Sequence, residues 1–452
     1  MAIFSVVAYK KSQNPLKSSP PFNGGQFNSH KEDVMYQSLI QHLKNTIANF
    51  SPEIAGHSEL EAEITHWLQT EEVNLFCSIA GLPEILSNAT LQFEHDNGTT
   101  VQALLEQLRF PPTADAQFDF IDLFAGIGGF NLGLSRNGGR CVFASEWDKA
   151  AKKTYFNNYG KVPYGDINQF TGEGIREEEL DAWIPNHQVL AGGFPCQPFS
   201  HAGVSARTAL GLAHGFNCDT QGNLFHSIAK IAYVKQPEIV FMENVKNIVT
   251  HDEGRTFEVI RNTMENLSGG VEGKLNYKFF YSLINSETVV AQRRVRCFMV
   301  CVREDIWQQH GDFEFPVLVG ESIPLRQAIE NAGTTPQEAE EYTISDKLWQ
   351  GHLNRTERNL ARNTGFTAHA ADLNRPSNTI VARYGKDGKE CLIPQENQNP
   401  RKLTRDECRI LFGYPEDFWM PDAKTPTYKQ FGNSVVVPVV QLISQHIIEY
   451  LV

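Results

Sequence analysis

The chain has 452 residues, 41% hydrophobic and 21% charged. That composition excludes a collagenous, low-complexity or wholly disordered polypeptide and leaves room for two domains around a large core. Its formal charge of −13 is opposite to that of most nucleic-acid-binding proteins, but residues 343–400 hold 8 Lys/Arg against 6 Asp/Glu, so a nucleic-acid groove is not excluded there.

Residues Ser12–His30, rich in Ser, Pro, Gly and Asn, read as a loop or mobile arm. From Glu32 to Phe110 apolar residues recur at helical spacing, as in Tyr36-Leu39-Ile40-Leu43 and Val101-Leu104-Leu105-Leu108, which predicts several amphipathic helices. Residues 1–115 carry 6 Lys/Arg against 13 Asp/Glu, and Pro111–Pro112 mark the end of this acidic region. Phe118–Phe124 then opens a series of alternating strands and helices. Further strands are expected at Arg140–Ser145, Gln188–Ala191, Glu238–Glu243, Phe279–Ile284 and Cys297–Val302. No apolar run reaches membrane-spanning length, and Ile3–Ala8 lacks the basic lead-in and cleavage site of a secretory signal, so a cytosolic protein with no membrane partner is expected. Eight cysteines without a CxxC pair suggest neither a disulfide framework nor a metal site; most of them are expected to be buried apolar residues.

The first strand runs into Gly126, Gly128 and Gly129, which permit a tight turn and close approach of a ligand to the backbone, before a helix at Asn131–Ser135. The second strand ends in Glu146, 20 residues after Gly126, where a carboxylate can accept hydrogen bonds from ribose hydroxyls. Asp166 follows in a short Gly-Asp-Ile-Asn stretch. Neither GxGxxG nor GxxxxGK[ST] is present, which favours a smaller adenosine compound over a dinucleotide or nucleoside triphosphate.

In Gly192-Gly-Phe-Pro195-Cys196-Gln-Pro198 a cysteine sits between prolines directly after an apolar strand, the placement a thiol nucleophile needs. Glu243 ends a later strand. In a parallel sheet the strand C-termini line one edge, so Cys196 and Glu243 should converge on one crevice, although a surface glutamate at a strand end is the bland alternative. In Gln292-Arg-Arg294-Val-Arg296 the alternation places Arg294 and Arg296 on one side of an extended chain, where both can reach the same anion or base edge; a solvated basic edge strand would look similar.

Taken in order, Asp122-Leu-Phe-Ala-Gly-Ile-Gly-Gly129, Glu146-Trp147, Gly165-Asp166-Ile167, Gly193-Phe-Pro-Cys-Gln-Pro-Phe-Ser200, Glu243-Asn-Val245, Gln292–Arg296, Arg401–Pro415 and Gln430-Phe-Gly-Asn-Ser-Val435 resemble the motif set of the bacterial DNA (cytosine-5)-methyltransferases, restriction-modification type. The resemblance covers Phe118 to the C-terminus. It implies an α/β fold: an AdoMet-dependent Rossmann-like domain over 116–305, a small inserted target-recognition region over 306–400 and a motif-bearing part, 401–452, returning to the catalytic domain, with 1–115 as a mainly helical extension. It implies Cys196 as the nucleophile on C6 of a flipped cytosine, Glu243 at N3 and the exocyclic amine, Arg296 at O2 and Arg294 ordering the active-site loop. For S-adenosyl-L-methionine, the methyl donor, it implies Phe124, Gly126, Gly128, Glu146, Trp147, Asp166, Ile167, Pro195, Leu224, Asn433 and Val435. The partners implied are double-stranded DNA and a restriction endonuclease acting on the same site, and the expected state is a monomer.

Ala291 and Gln221 stand where the family often has Pro and Arg; neither position supplies the chemistry. Within Asn378–Lys389, the residues Arg383, Tyr384 and Lys386 are suited to reading a major groove, against a plain surface hairpin. That segment resembles the recognition segments of enzymes methylating CCWGG-like sites. Two rival readings remain. Transfer-RNA cytosine methyltransferases share the catalytic residues but usually carry a Cys-Phe-Thr tripeptide, absent here, and a catalytically silent DNA-binding module would be expected to have a broken Pro-Cys or Glu-Asn-Val motif.

Overall fold

The computed structural model describes residues 32–194, 224–363 and 367–451. The Ser12–His30 arm, Pro195, Cys196, Cys218 and Gln221 lie outside them. Six strands form a single sheet: β1 (Phe118–Leu123), β2 (Gly139–Ser145), β3 (Val189–Gly193), β4 (Ile239–Val245), β5 (Tyr277–Asn285) and β6 (Val295–Arg303), in the order β2-β1-β3-β4-β6-β5. The first four strands in that order run parallel, and β6 is antiparallel to both β4 and β5. Each strand expected from the sequence lies within a residue or two of its observed bounds, because apolar runs closed by glycine or charge are the strongest local strand signal.

Alternate residues of the strands serve two cores, as a period of two requires. Phe118, Phe120, Phe241 and Val300 face one side with Leu411, Phe412, Val440 and Ile443; Ile121, Leu123, Val240 and Met242 face the other with Phe225, Ile228 and Ile260. Among the described residues, Lys424–Ile448 is long and apolar enough to cross a membrane by length and composition alone, but it is mostly buried in the protein. It is two helices, Lys424–Asn433 and Val437–Ile448, and the second packs its apolar residues on the Gly129–Ser135 helix beside β1. Five buried cysteines (Cys141, Cys297, Cys301, Cys391, Cys408) act as the small apolar residues expected, while Cys77 is exposed.

The region before Pro111 forms helices at Glu32–Phe50, Pro52–Ala55, Leu60–Thr70, Leu82–Asn97 and Val101–Glu106 around a third core of Leu39, Leu43, Ile64 and Leu86. The Leu60–Thr70 helix covers part of the β2 edge of the sheet, where the backbone N–H of Ala144 donates to His66 Nε2 at 3.0 Å, and it also holds the chain after β2, with Val162 N–H donating to Thr65 Oγ1 at 2.9 Å. A sheet edge left open would expose unpaired backbone groups.

Candidate active site

The connection from β1 leads to β2 on one side of the sheet and that from β3 leads to β4 on the other, so the C-terminal ends of β1 and β3 flank a crevice where ligands of open α/β sheets bind. The turn after β1 is built for close approach. Phe124, Gly126 and Gly128 all have positive φ (55°, 56° and 84°), and a side chain at Gly128 would meet the Tyr159 ring at 2.3 Å. Glu146, at the tip of β2, locks this turn: Oε2 accepts the Gly126 N–H at 2.8 Å and Oε1 accepts the Asp148 N–H at 2.8 Å. Burial raises its pKa, against the lowering effect of those bonds. Each oxygen keeps a lone pair for a further donor.

Around the same mouth, the Trp147 indole is 81% exposed, an unusual state for so large an apolar ring. Ile167 is buried, Asp166 is exposed and accepts from Asn168, Leu224 is half-buried at the start of its helix, and Val435 is buried with its Cγ2 at 2.6 Å from where a Gly129 side chain would lie. Asn433 is exposed.

At the neighbouring strand ends, β3 and β4 are paired in register with Gly193 opposite Glu243. A side chain at Gly193 would meet Glu243 Oε2 at 3.4 Å, so the glycine keeps the space beside the carboxyl open. Glu243 is 9% exposed, and Arg296 Nε lies 3.0 Å from its Oε1. Burial raises the Glu243 pKa, and the two arginines, Arg296 and Arg294, only partly offset it. Asn244 Nδ2 donates to the carbonyl of Phe194 at 2.8 Å, which ties the end of β4 to the residue two before Cys196.

Arg294 and Arg296 do not share a target. Arg294 is 3% exposed and donates to the carbonyls of Ile380, Gly432 and Ser434 at 2.8, 3.1 and 2.7 Å, over the Phe412 ring. Burial lowers its pKa to about 9. The alternation on an extended chain is real, but three buried carbonyls claim the first guanidinium, so only Arg296 pairs with Glu243.

The family model for C-5 cytosine-specific DNA methylases matches residues 118–449. The chain belongs to this family. Among its relatives in the family are the Type II methyltransferase M.SsoII of Shigella sonnei, 42% identical over 76% of this chain and 83% of that protein, and M1.ScrFI of Lactococcus lactis subsp. cremoris, 40% identical over 79% and 87%. In fold, it is similar to the Dnmt2 methyltransferase of S. pombe, with a TM-score of 0.51 at 15% identity over 74% of this chain and 98% of that one. The sheet is the Rossmann-like sheet of AdoMet-dependent enzymes, and members of the family take their methyl group from S-adenosyl-L-methionine. The glycine turn, the Glu146 carboxylate and the uncovered Trp147 ring fit such an adenosyl group.

On this methylase scaffold one expected DNA-reading residue must be corrected. Tyr384 is fully buried; its hydroxyl donates to the Cys391 carbonyl at 2.6 Å and accepts the Leu403 N–H at 2.8 Å, and its ring meets Tyr428 edge-on. The segment is a helical turn, Tyr384–Asp387, which directs Tyr384 inward and leaves Arg383 and Lys386 exposed. Beside it, a polar cleft of about 230 Å³ lies where Arg293, His369, Arg375, Asn378 and Lys389 meet.

Two site residues escaped the sequence reading. Asn244 holds the loop mouth, and Gln292 is fully buried, donating to the Leu411 carbonyl and accepting the Ile380 N–H. Both stood inside quoted motifs, but an amide's partners 50 to 119 residues away leave no local signal.

Proposed function

We propose that this protein methylates C5 of a cytosine in a short specific duplex sequence, through a covalent bond from Cys196 to C6, and protects DNA from a restriction endonuclease acting at the same site. The observation that carries the reading is the buried Glu243–Arg296 pair, opened by Gly193 and joined through Asn244 to the chain leading into Cys196. C5 of cytosine is too weak a nucleophile unaided. Addition of the Cys196 thiolate to C6 pushes an electron pair toward C5 and N3, where a protonated Glu243 donates a hydrogen bond and Arg296 holds O2. The activated C5 takes the methyl group from its sulfonium donor; loss of the C5 proton then expels the thiolate and restores the ring. The base must leave the duplex first, at a cost of a few kcal/mol.

For the donor, Phe124 would stack on adenine, Gly126 and Gly128 would let the methionine part approach the backbone, and Glu146 would bind the ribose. Trp147, Asp166 and Ile167 would hold the adenine, with Pro195, Leu224, Asn433 and Val435 closing the pocket. Arg294 would help order the active-site loop from outside it, by tying the Ile380 carbonyl to those of Gly432 and Ser434. Residues 306–400 carry target recognition, with Arg383 and Lys386 on the DNA side. A monomer working on cytoplasmic DNA is the simplest assembly.

The test is incorporation of labelled methyl groups from AdoMet into duplex DNA and bulk RNA, wild type against Cys196→Ser. Cysteine-dependent labelling of DNA alone supports the reading, and bisulfite sequencing then reveals the site. Labelling of RNA alone, or of neither, sinks it.

A further inference from the structure

The helix Leu60–Thr70 begins at Glu59, which stands at its N-cap but makes no side-chain cap bond. Cap positions favour side chains that accept from their own first turn. Glu59 turns outward instead: Oε2 accepts the backbone N–H of Gly165 at 2.9 Å, with Lys152 Nζ at 3.7 Å, in a position 6% exposed. The contact is close enough that a side chain at Gly165 would lie 2.7 Å from Glu59 Oε1, so the absence of a Cβ there makes room for this carboxylate.

The peptide it holds is constrained from both sides. The Gly165 carbonyl accepts from Ser145 Oγ at 2.9 Å, and the preceding Tyr164 pairs with β2, its carbonyl accepting the Glu146 N–H and its N–H donating to Ala144. The Tyr164 hydroxyl in turn donates to Glu63 at 2.7 Å, and its ring lies 4.4 Å from that of His66. Three residues of one N-terminal helix and its cap therefore fix the segment on which Asp166 sits, and the strand tip that carries Glu146.

We propose that Glu59 is a positioning residue for the adenosine site: it sets the Gly165–Asp166 backbone, so the acidic helical region before Pro111 supplies part of AdoMet affinity. The proposal rests on the assignment of Asp166 and Glu146 to the donor. It gives this region a role in the reaction that its position outside the motif set does not suggest.

The test uses the full chain and S-adenosylhomocysteine as the calorimetric probe. Glu59→Ala is expected to weaken binding about tenfold, which corresponds to ~1.4 kcal/mol, and to raise KM for AdoMet while leaving KM for DNA and kcat at saturating donor unchanged. Glu59→Gln, whose amide oxygen can still accept the Gly165 N–H, is expected to stay within about twofold of wild type. Glu61→Ala, on the same helix but facing Lys44 and solvent, serves as the control and should not change binding. If Glu59→Ala does not fold, Glu59→Asp keeps the charge but withdraws the oxygen by one methylene, and weakened binding is again expected. Wild-type affinity in Glu59→Ala or Glu59→Asp, or an equal loss in Glu59→Gln and Glu59→Ala, overturns the positioning role. Failure of the wild-type protein itself to bind the probe overturns the donor assignment, and the proposal with it.

Discussion

Glu243 and Arg296 meet diagonally across the antiparallel ladder of β4 and β6, where Glu243 stands opposite Phe298 and Arg296 opposite Val245; Arg296 Nε lies 3.0 Å from Glu243 Oε1, with the Glu243 and Arg296 side chains only 12% and 13% exposed. A guanidinium at this distance ordinarily holds a carboxyl in its charged form, yet burial outweighs it and raises the Glu243 pKa. The two effects oppose each other at one buried carboxyl, which leans toward its neutral form relative to a free glutamate while its geometry is held by Arg296.

Glu243→Gln is expected to lower kcat by about 10²–10⁴-fold with little effect on AdoMet binding, the range lost when a positioned acid is removed. Single-turnover methyl transfer on a defined duplex measures this. Wild-type kcat in the variant would remove Glu243 from the chemistry.

The same substitution has a pH signature in stability. A folded-state pKa raised above the ordinary value of 4.5 means that the folded protein binds the proton more tightly than the unfolded chain. The stabilisation is present in full below that value and is lost as pH rises through the folded pKa. Glutamine does not titrate, so wild type should lose stability relative to Glu243→Gln between about pH 4 and the folded pKa. Urea unfolding at a series of pH values checks the sign; a difference that grows in favour of wild type with rising pH contradicts it.

Asn244→Ala removes the bond to the Phe194 carbonyl and leaves that acceptor unsatisfied, at a cost of about 1–3 kcal/mol. Because that bond anchors the entrance to the Cys196 segment, covalent trapping on duplex DNA containing 5-fluorocytosine should slow by at least tenfold. Trapping at the wild-type rate in a folded variant would show that the anchor is unnecessary.

Tyr384→Phe and Arg383→Ala should separate stability from DNA contact. The first strands the Cys391 carbonyl and the Leu403 N–H in the core, and should lower stability by roughly 1–3 kcal/mol without changing the methylated sequence. The second, on an exposed side chain, should leave unfolding unchanged and weaken duplex binding, with a shallower salt dependence. Fluorescence anisotropy at several salt concentrations, together with thermal unfolding, distinguishes them. An altered target site in Tyr384→Phe would return Tyr384 to the DNA-reading surface.

The sheet strands, the glycine turn and the carboxylates at strand tips were legible in the chain because each is a local property. Period-two burial shapes β1 and β4, positive φ selects the residues after Leu123, and parallel strands present Glu146 and Glu243 at one edge. Which side chains those positions meet was not local. Arg294 and Arg296 are equivalent by alternation, and only the carbonyls of Ile380, Gly432 and Ser434, contributed by distant segments, separate an internal tie from a partner of Glu243. Tyr384 sits in a polar, glycine-containing stretch that reads as surface, and a single helical turn carries it inward against Tyr428. Glu59 and His66 lie in a region that reads only as amphipathic helix; their partners Gly165 and Ala144 are 106 and 78 residues away. Patterns along the chain determine which face a residue presents, because backbone geometry is periodic. What lies against that face is decided by packing between segments, where burial makes each polar group find its partner whatever the distance in sequence.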